Sequence, residues 1–332
     1  MKMASSLLLP LLLIFPFLLH PAHSKLTLDY YNKTCPKFAK IVQEVVVDKQ
    51  LAIPTTAAGA LRLFFHDCIV GGCDASLLIT SNSFNTAERD HKLNQALPGD
   101  AFDIVIRAKT KLELECPGIV SCSDILAEAT RDLVSMVGGP YYTVLLGRKD
   151  SIESRATDVE GHIAKPDMTL SHIIDIFADK GFNVQEMVAL VGAHTIGFSH
   201  CSEFASRIFN FSKKQDHDPT MNPEYAKGLK KLCANYKTDT TIAAFNDPMT
   251  PGKFDNMYFQ NLQRGVGLLA SDQVMMFDPR TKPYVDLYAA NQTAFFEAFS
   301  RAMEKVSVHN VLTGNQGEVR KRCDATNALK TQ

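Results

Sequence analysis

Apolar residues recur at every third or fourth position along most of the chain, over 38–51, 57–66, 102–114, 122–137, 170–180, 184–191, 202–211, 223–232, 254–264 and 283–306. Each such run predicts a helix with one buried face. Alternation with a period of two, the mark of a strand, is confined to short pieces such as 141–146. The pattern predicts a mostly α protein with little β. The punctuation agrees: Gly138-Gly139-Pro140 and Lys180-Gly181 close helices, and Asn222-Pro223 opens one. No internal repeat or low-complexity linker interrupts the chain, which predicts one catalytic unit with a core large enough to split around a buried ligand.

The first run is of another kind. Residues 5–19 are almost uninterrupted Leu, Ile, Pro and Phe, with Lys2 before them and Ala22-His23-Ser24 after. This is the layout of a signal peptide, here 1–24. The run is too short and too proline-rich for a membrane anchor, and no later stretch qualifies. Residues 25–332 are then an exported chain. Its eight cysteines, an even number, fit a disulfide framework in an oxidising compartment. Sequence leaves 105 pairings open for eight cysteines. Cys68 and Cys73 are near enough to close a tight loop, and no matching Cys/His pair nearby supports zinc there. A formal net charge of −1 points to neither nucleic acid nor a membrane surface as partner. Asn32-Lys33-Thr34, Asn210-Phe211-Ser212 and Asn291-Gln292-Thr293 are glycan sequons, expected at surface loops or helix ends.

The chemistry concentrates in Leu61-Arg62-Leu63-Phe64-Phe65-His66-Asp67-Cys68, which runs into Gly71-Gly72-Cys73-Asp74. At i and i+4, Arg62 and His66 share one helix face, where together they handle a proton and stabilise a developing anion. A lone helical histidine is ordinarily a packing or surface residue, and the rest of the chain overturns that reading here. A second imidazole, His194, follows the apolar helix ending Leu190-Val191-Gly192-Ala193; neutral imidazole is a good metal ligand.

Taken in order, Arg62 to Cys68, Gly72-Cys73-Asp74-Ala75-Ser76, Val120-Ser121-Cys122-Ser123-Asp124, Leu146-Gly147-Arg148-Lys149-Asp150, the His194 segment, Phe254-Asp255-Asn256-Met257-Tyr258 and Ser271-Asp272-Gln273 resemble the secretory plant (class III) haem peroxidases. The likeness runs from about Leu26 to Cys323 and uses all eight cysteines. It implies the haem-peroxidase fold, with helices in distal and proximal halves sandwiching one haem, and disulfides Cys35–Cys116, Cys68–Cys73, Cys122–Cys323 and Cys201–Cys233. It implies haem b as cofactor, His194 as axial iron ligand and Asp272 as the carboxylate bonded to the other ring nitrogen. On the opposite face it implies His66 as acid/base, Arg62 as the stabiliser of charge during O–O cleavage, Asn94 as the amide orienting His66, and Phe65 as the ring shielding the haem. The reaction implied is reduction of H₂O₂ to water with one-electron oxidation of small phenolic donors.

Two Ca²⁺ are also implied. One set is Asp67, Asp74 and Ser76 with the carbonyls of Val70 and Gly72, plus Glu88 through water; the other is Thr195, Asp247, Thr250 and Asp255 with the carbonyl of Lys253. Oxygen-rich loops of this kind suit a hard cation. The chain departs from the family in two places. The Pro-x-Pro of the substrate opening is Ile163-Ala164-Lys165-Pro166 here, so Ala164 takes the donor-contacting place. There is no tryptophan, and Tyr142 stands where many relatives have one, which excludes a surface tryptophan radical route. The nine residues after Cys323 hold no apolar extension, favouring export to the cell-wall space, and a monomer is expected. Two other readings compete with it: a haem-containing wall protein with little turnover, and a disulfide-rich binding module without cofactor.

Overall fold

The computed structural model describes residues 26–327. The signal-peptide expectation for 1–24 and the end of the tail lie outside them. Helices dominate: α1 Phe38–Ala52, α2 Thr56–Val70, α3 Gly99–Glu115, α4 Cys122–Met136, α5 Leu170–Asp179, α6 Val184–Val191, α7 Ala205–Ile208, α8 Pro223–Leu232, α9 Met257–Gln263, α10 Ala270–Gln273, α11 Lys282–Ala290 and α12 Gln292–Ser307. Strands β1 Phe198–His200 and β2 Ala243–Phe245 pair antiparallel, with Ser199 opposite Ala244. No helix among the described residues is long and apolar enough to cross a membrane.

The first four helices form one packed group, α1 and α2 each lying on α3 and α4. A second group packs α6 on α12 and α9 on α11, and α12 also touches α2. Phe254, Phe259, Phe295 and Phe299 are fully buried between members of the second group, with Phe259 and Phe295 centroids 4.9 Å apart. Each such buried ring contributes about 1.5–3 kcal/mol relative to exposure. A smaller cluster around Phe204, Ile208, Met221 and Leu229 is closed by Cys201–Cys233. All four expected disulfides are present.

Three expectations fail locally. The helix expected over 202–211 shrinks to α7, because Cys201–Glu203 is a tight 3₁₀ turn tied by its bridge to Cys233. The helix expected over 283–306 is two: Asn291 adopts an extended backbone and its side chain caps α12 through Ala294 N at 3.1 Å. The 141–146 alternation is real in burial but is no strand, since its pairing is a single bridge between Leu146 and Thr27.

Two quoted motifs turn out to be fold staples. Asp150 accepts from the backbone N–H of Cys122, Ser123 and Arg320, and Asp124 takes Arg148 Nη1 at 2.8 Å, all fully buried. The sequons Asn32, Asn210 and Asn291 are all exposed.

Candidate active site

α2 presents Arg62, Phe65 and His66. His66 is 5% exposed, and its Nδ1 lies 2.7 Å from Asn94 Oδ1. Asn94 in turn donates from Nδ2 to the Glu88 carbonyl at 2.8 Å, so its carbonyl oxygen is the end that faces the imidazole. An oxygen accepts only, so the proton sits on Nδ1 and Nε2 carries the lone pair. Arg62 Nε approaches that lone pair at 3.3 Å. Burial first, and the Arg62 charge second, push the His66 pKa down to about 3 against the weaker pull of Asn94. The ring is therefore a neutral base throughout the ordinary pH range. Phe65 is half-buried and stacks on Phe177 at 5.9 Å.

His194 comes from the other helix group. Asn183 and Glu186 form a reciprocal capping box that starts α6, which then tightens into the 3₁₀ turn Gly192–Thr195. Gly192 is required there: a Cβ would meet the rings of Phe295 and Phe259 at 2.6 and 2.7 Å. His194 Nδ1 lies 3.0 Å from Asp272 Oδ1, and Asp272 on α10 is 1% exposed. Burial disfavours the imidazolium, but the charge and hydrogen bond of Asp272 outweigh it and the net shift of His194 is upward. With Nδ1 committed, Nε2 points the opposite way, and the His194 side chain is 39% open although it lies deep in the molecule. Arg62 has the same character, open yet enclosed, and its charge acts on both imidazoles. The two rings thus come from opposite helix groups and lie within reach of the charge of one cation. These groups fit haem: His194, with Nδ1 bonded to a buried carboxylate, has Nε2 left for a metal, and His66, with Nδ1 bonded to an amide, has Nε2 left to accept a proton.

Within α10, the Ser271 N–H donates to the Pro166 carbonyl at 3.2 Å, so the segment holding half-buried Ala164 is tied to the helix holding Asp272.

The first oxygen-rich loop brings Asp67, Asp74 and Ser76 into one tight turn. Asp67, buried, accepts from Ala75 N and Leu77 N; Asp74 accepts from Ser76 N. Ser76 Oγ and Glu88 Oε2 are buried without a partner. Burial raises Asp67, then the charges of Asp74 and Glu88 raise it further; Glu88 itself is pushed up to about 8, chiefly by burial. Buried carboxylates that repel one another beside orphaned oxygens are what a cation relieves. The Val70 carbonyl accepts from Lys180 Nζ at 3.2 Å, and the Gly72 carbonyl from Asp74 N.

The second set is also gathered, but it is already satisfied. Asp247 Oδ1 takes Met249 N, Thr250 N and Asn261 Nδ2; Thr250 Oγ1 lies within 3.1 Å of both Asp247 and Asp255; Thr195 Oγ1 accepts from Asp255 N; and Lys253 Nζ lies 3.4 Å from Asp255. No group of three or more His, Cys, Asp or Glu side chains placed to hold a metal occurs among the described residues. Sequence reading passed over Tyr258, whose ring meets His194 edge-on at 6.2 Å, and Glu203, whose charge reaches Arg62. Tyr258 lies inside a quoted motif; nothing in the sequence marked Glu203.

The fold is helical, and it holds one imidazole on a buried carboxylate and a second on a buried amide. The family model described as "Peroxidase" matches residues 42–291. The chain is 61% identical to Peroxidase 6 of Arabidopsis thaliana over 307 residues, covering 92% of this chain and 94% of that one. It is 62% identical to Peroxidase 65 of the same plant over 301 residues (91% and 89%), and 57% identical to Peroxidase 41 over 329 residues (99% of each). The chain belongs to the peroxidase family, whose cofactor is haem, and is a peroxidase.

Proposed function

We propose that residues 25–332 form one exported, monomeric catalytic domain that binds haem b through His194, reduces H₂O₂ to water, and takes electrons singly from small phenolic donors in the cell-wall space. The observation that carries this reading is the pair of imidazoles, His66 bonded through Nδ1 to Asn94 and His194 bonded through Nδ1 to Asp272, each leaving Nε2 for chemistry. Four disulfides among the described residues support an oxidising compartment.

Haem held on His194 Nε2 would supply the electrons that break the peroxide O–O bond and recover them from donors at its edge. The chain's own residues do the rest. His66 Nε2 takes the proton from the near oxygen of peroxide and returns it to the far oxygen, which departs as water. Arg62 stabilises the charge that develops on the departing oxygen. Asn94 keeps the accepting nitrogen unprotonated, and Phe65 keeps donors away from the centre. Asp272 holds the His194 ring in place and makes it a stronger electron donor. Ala164 lies beside the path by which donors enter.

Two Ca²⁺ complete the reading, one on Asp67, Asp74 and Ser76 with the Val70 and Gly72 carbonyls and Glu88 through water, the other on Thr195, Asp247, Thr250, Asp255 and the Lys253 carbonyl. The orphaned Ser76 and Glu88 oxygens support the first more strongly than the satisfied geometry supports the second. For the first, calcium displaces the Lys180 ammonium from the Val70 carbonyl.

The test is a purified protein scored for a Soret band and for steady-state oxidation of a donor panel with H₂O₂. A haem-free product, or haem without turnover of any phenol, overturns the proposal.

A further inference from the structure

Tyr258 on α9 is 1% exposed, and its ring stands nearly perpendicular to that of His194, at 81° and 6.2 Å. Its hydroxyl and Asp272 Oδ2 are both buried atoms without a hydrogen-bond partner. Asp272 commits its other oxygen to His194 Nδ1. Burial first, then the charge and lone pairs of Asp272, hold the Tyr258 phenol well above its ordinary range. An unpaired buried polar atom costs about 1–3 kcal/mol, more on a charged group, so each of these two supplies what the other lacks.

We propose that Tyr258 is a positioning residue of the peroxidase reaction: its hydroxyl donates to Asp272 Oδ2 and limits how strongly Asp272 draws the Nδ1 proton of His194. The proposal rests on the reading of His194 as iron ligand. A carboxylate that accepts a second hydrogen bond is a weaker base, because that bond stabilises its charged form. The proton then stays nearer His194, Nε2 carries less negative charge, and the higher oxidation state of the iron is favoured less. Tyr258 thus sets how far Asp272 can lower the ferric/ferrous potential. Tyr225 is an internal control. Its hydroxyl is also buried and unpaired, but it senses Asp272 through charge alone.

The experiment compares the holoenzyme with Tyr258→Phe and Tyr225→Phe, measuring the ferric/ferrous potential by spectroelectrochemistry and the iron–histidine stretch of the ferrous form by resonance Raman. Tyr258→Phe keeps the ring and removes only the hydroxyl. It is expected to shift the potential to more negative values and the stretch to higher frequency, while Tyr225→Phe leaves both at wild-type values. The rate constant with H₂O₂ of Tyr225→Phe stays within about twofold of wild type, since that hydroxyl bonds neither Asp272 nor His194. A Tyr258→Phe potential and stretch equal to wild type, or displaced in the opposite sense, overturns the proposal. A wild-type enzyme lacking an iron–histidine band overturns the ligand reading itself, and this inference with it; the wild-type spectrum alone tells the two failures apart.

Discussion

Asn94 holds His66 in a single tautomer: Oδ1 lies 2.7 Å from the imidazole Nδ1, and the amide end is spent on the Glu88 carbonyl. Rotating the amide would set an N–H against the ring N–H and abandon a buried carbonyl, losing two hydrogen bonds. The lone pair on Nε2 is therefore built into the fold before any substrate arrives.

His66→Ala removes that lone pair while leaving His194 untouched. Haem should remain bound, and the second-order rate of reaction with H₂O₂, followed by stopped-flow absorbance, should fall by about 10²–10⁴-fold, the usual worth of a positioned proton-transfer group. An unchanged rate would assign proton transfer to another residue.

The depressed pKa of His66 fixes the sign of the pH dependence. With the folded value near 3, the ring stays neutral from neutrality well into acid, so the rate with peroxide should hold level and then decline as the pH nears 3. Unfolded histidine takes up its proton near pH 6.5, so this group favours unfolding as pH falls between the two values. Asn94→Asp places an anion on Nδ1 and favours the imidazolium. The acid limb of the rate profile should then move to higher pH, which a pH series of stopped-flow traces measures.

His194→Ala should abolish the five-coordinate ferric spectrum. Asp272→Asn should keep the ligand and weaken its electron donation, raising the ferric/ferrous potential. Absorption and redox titration of the two variants distinguish loss of the ligand from loss of its partner.

Chelation of calcium should lower the thermal midpoint, because an ion bound at about 100 times its Kd contributes about 2.7 kcal/mol. Ser76→Ala should weaken the response to added Ca²⁺, as seen by calorimetry across a calcium titration. A midpoint indifferent to both chelator and calcium would remove the ions from the proposed function.

The helices were legible because a buried face repeats its apolar residues, and α1, α6 and α8 lie almost where periodicity places them. Periodicity does not register local competitors. Asn291 carries on an apolar pattern yet stops α11 and starts α12, because its side chain outcompetes the helix for a backbone N–H. Tyr142, Val144 and Leu146 do alternate inward, but an extended segment without a neighbouring strand is only a connection. At the site, spacing alone put Arg62 and His66 on one helix face, but it took the other motifs to set the histidine apart from an ordinary packing residue. His194 and Asp272 are 78 residues apart, and only resemblance joined them before the structure brought them to 3.0 Å. The Tyr258 hydroxyl could not be anticipated, since a buried phenol is written in sequence like any core aromatic.

Glu88 stands on both sides of a boundary. Its carbonyl carries Asn94, and through it the tautomer of His66, while its carboxylate faces the oxygen-rich loop of Asp67 and Asp74. Displacing this one residue would therefore disturb the loop and the imidazole together.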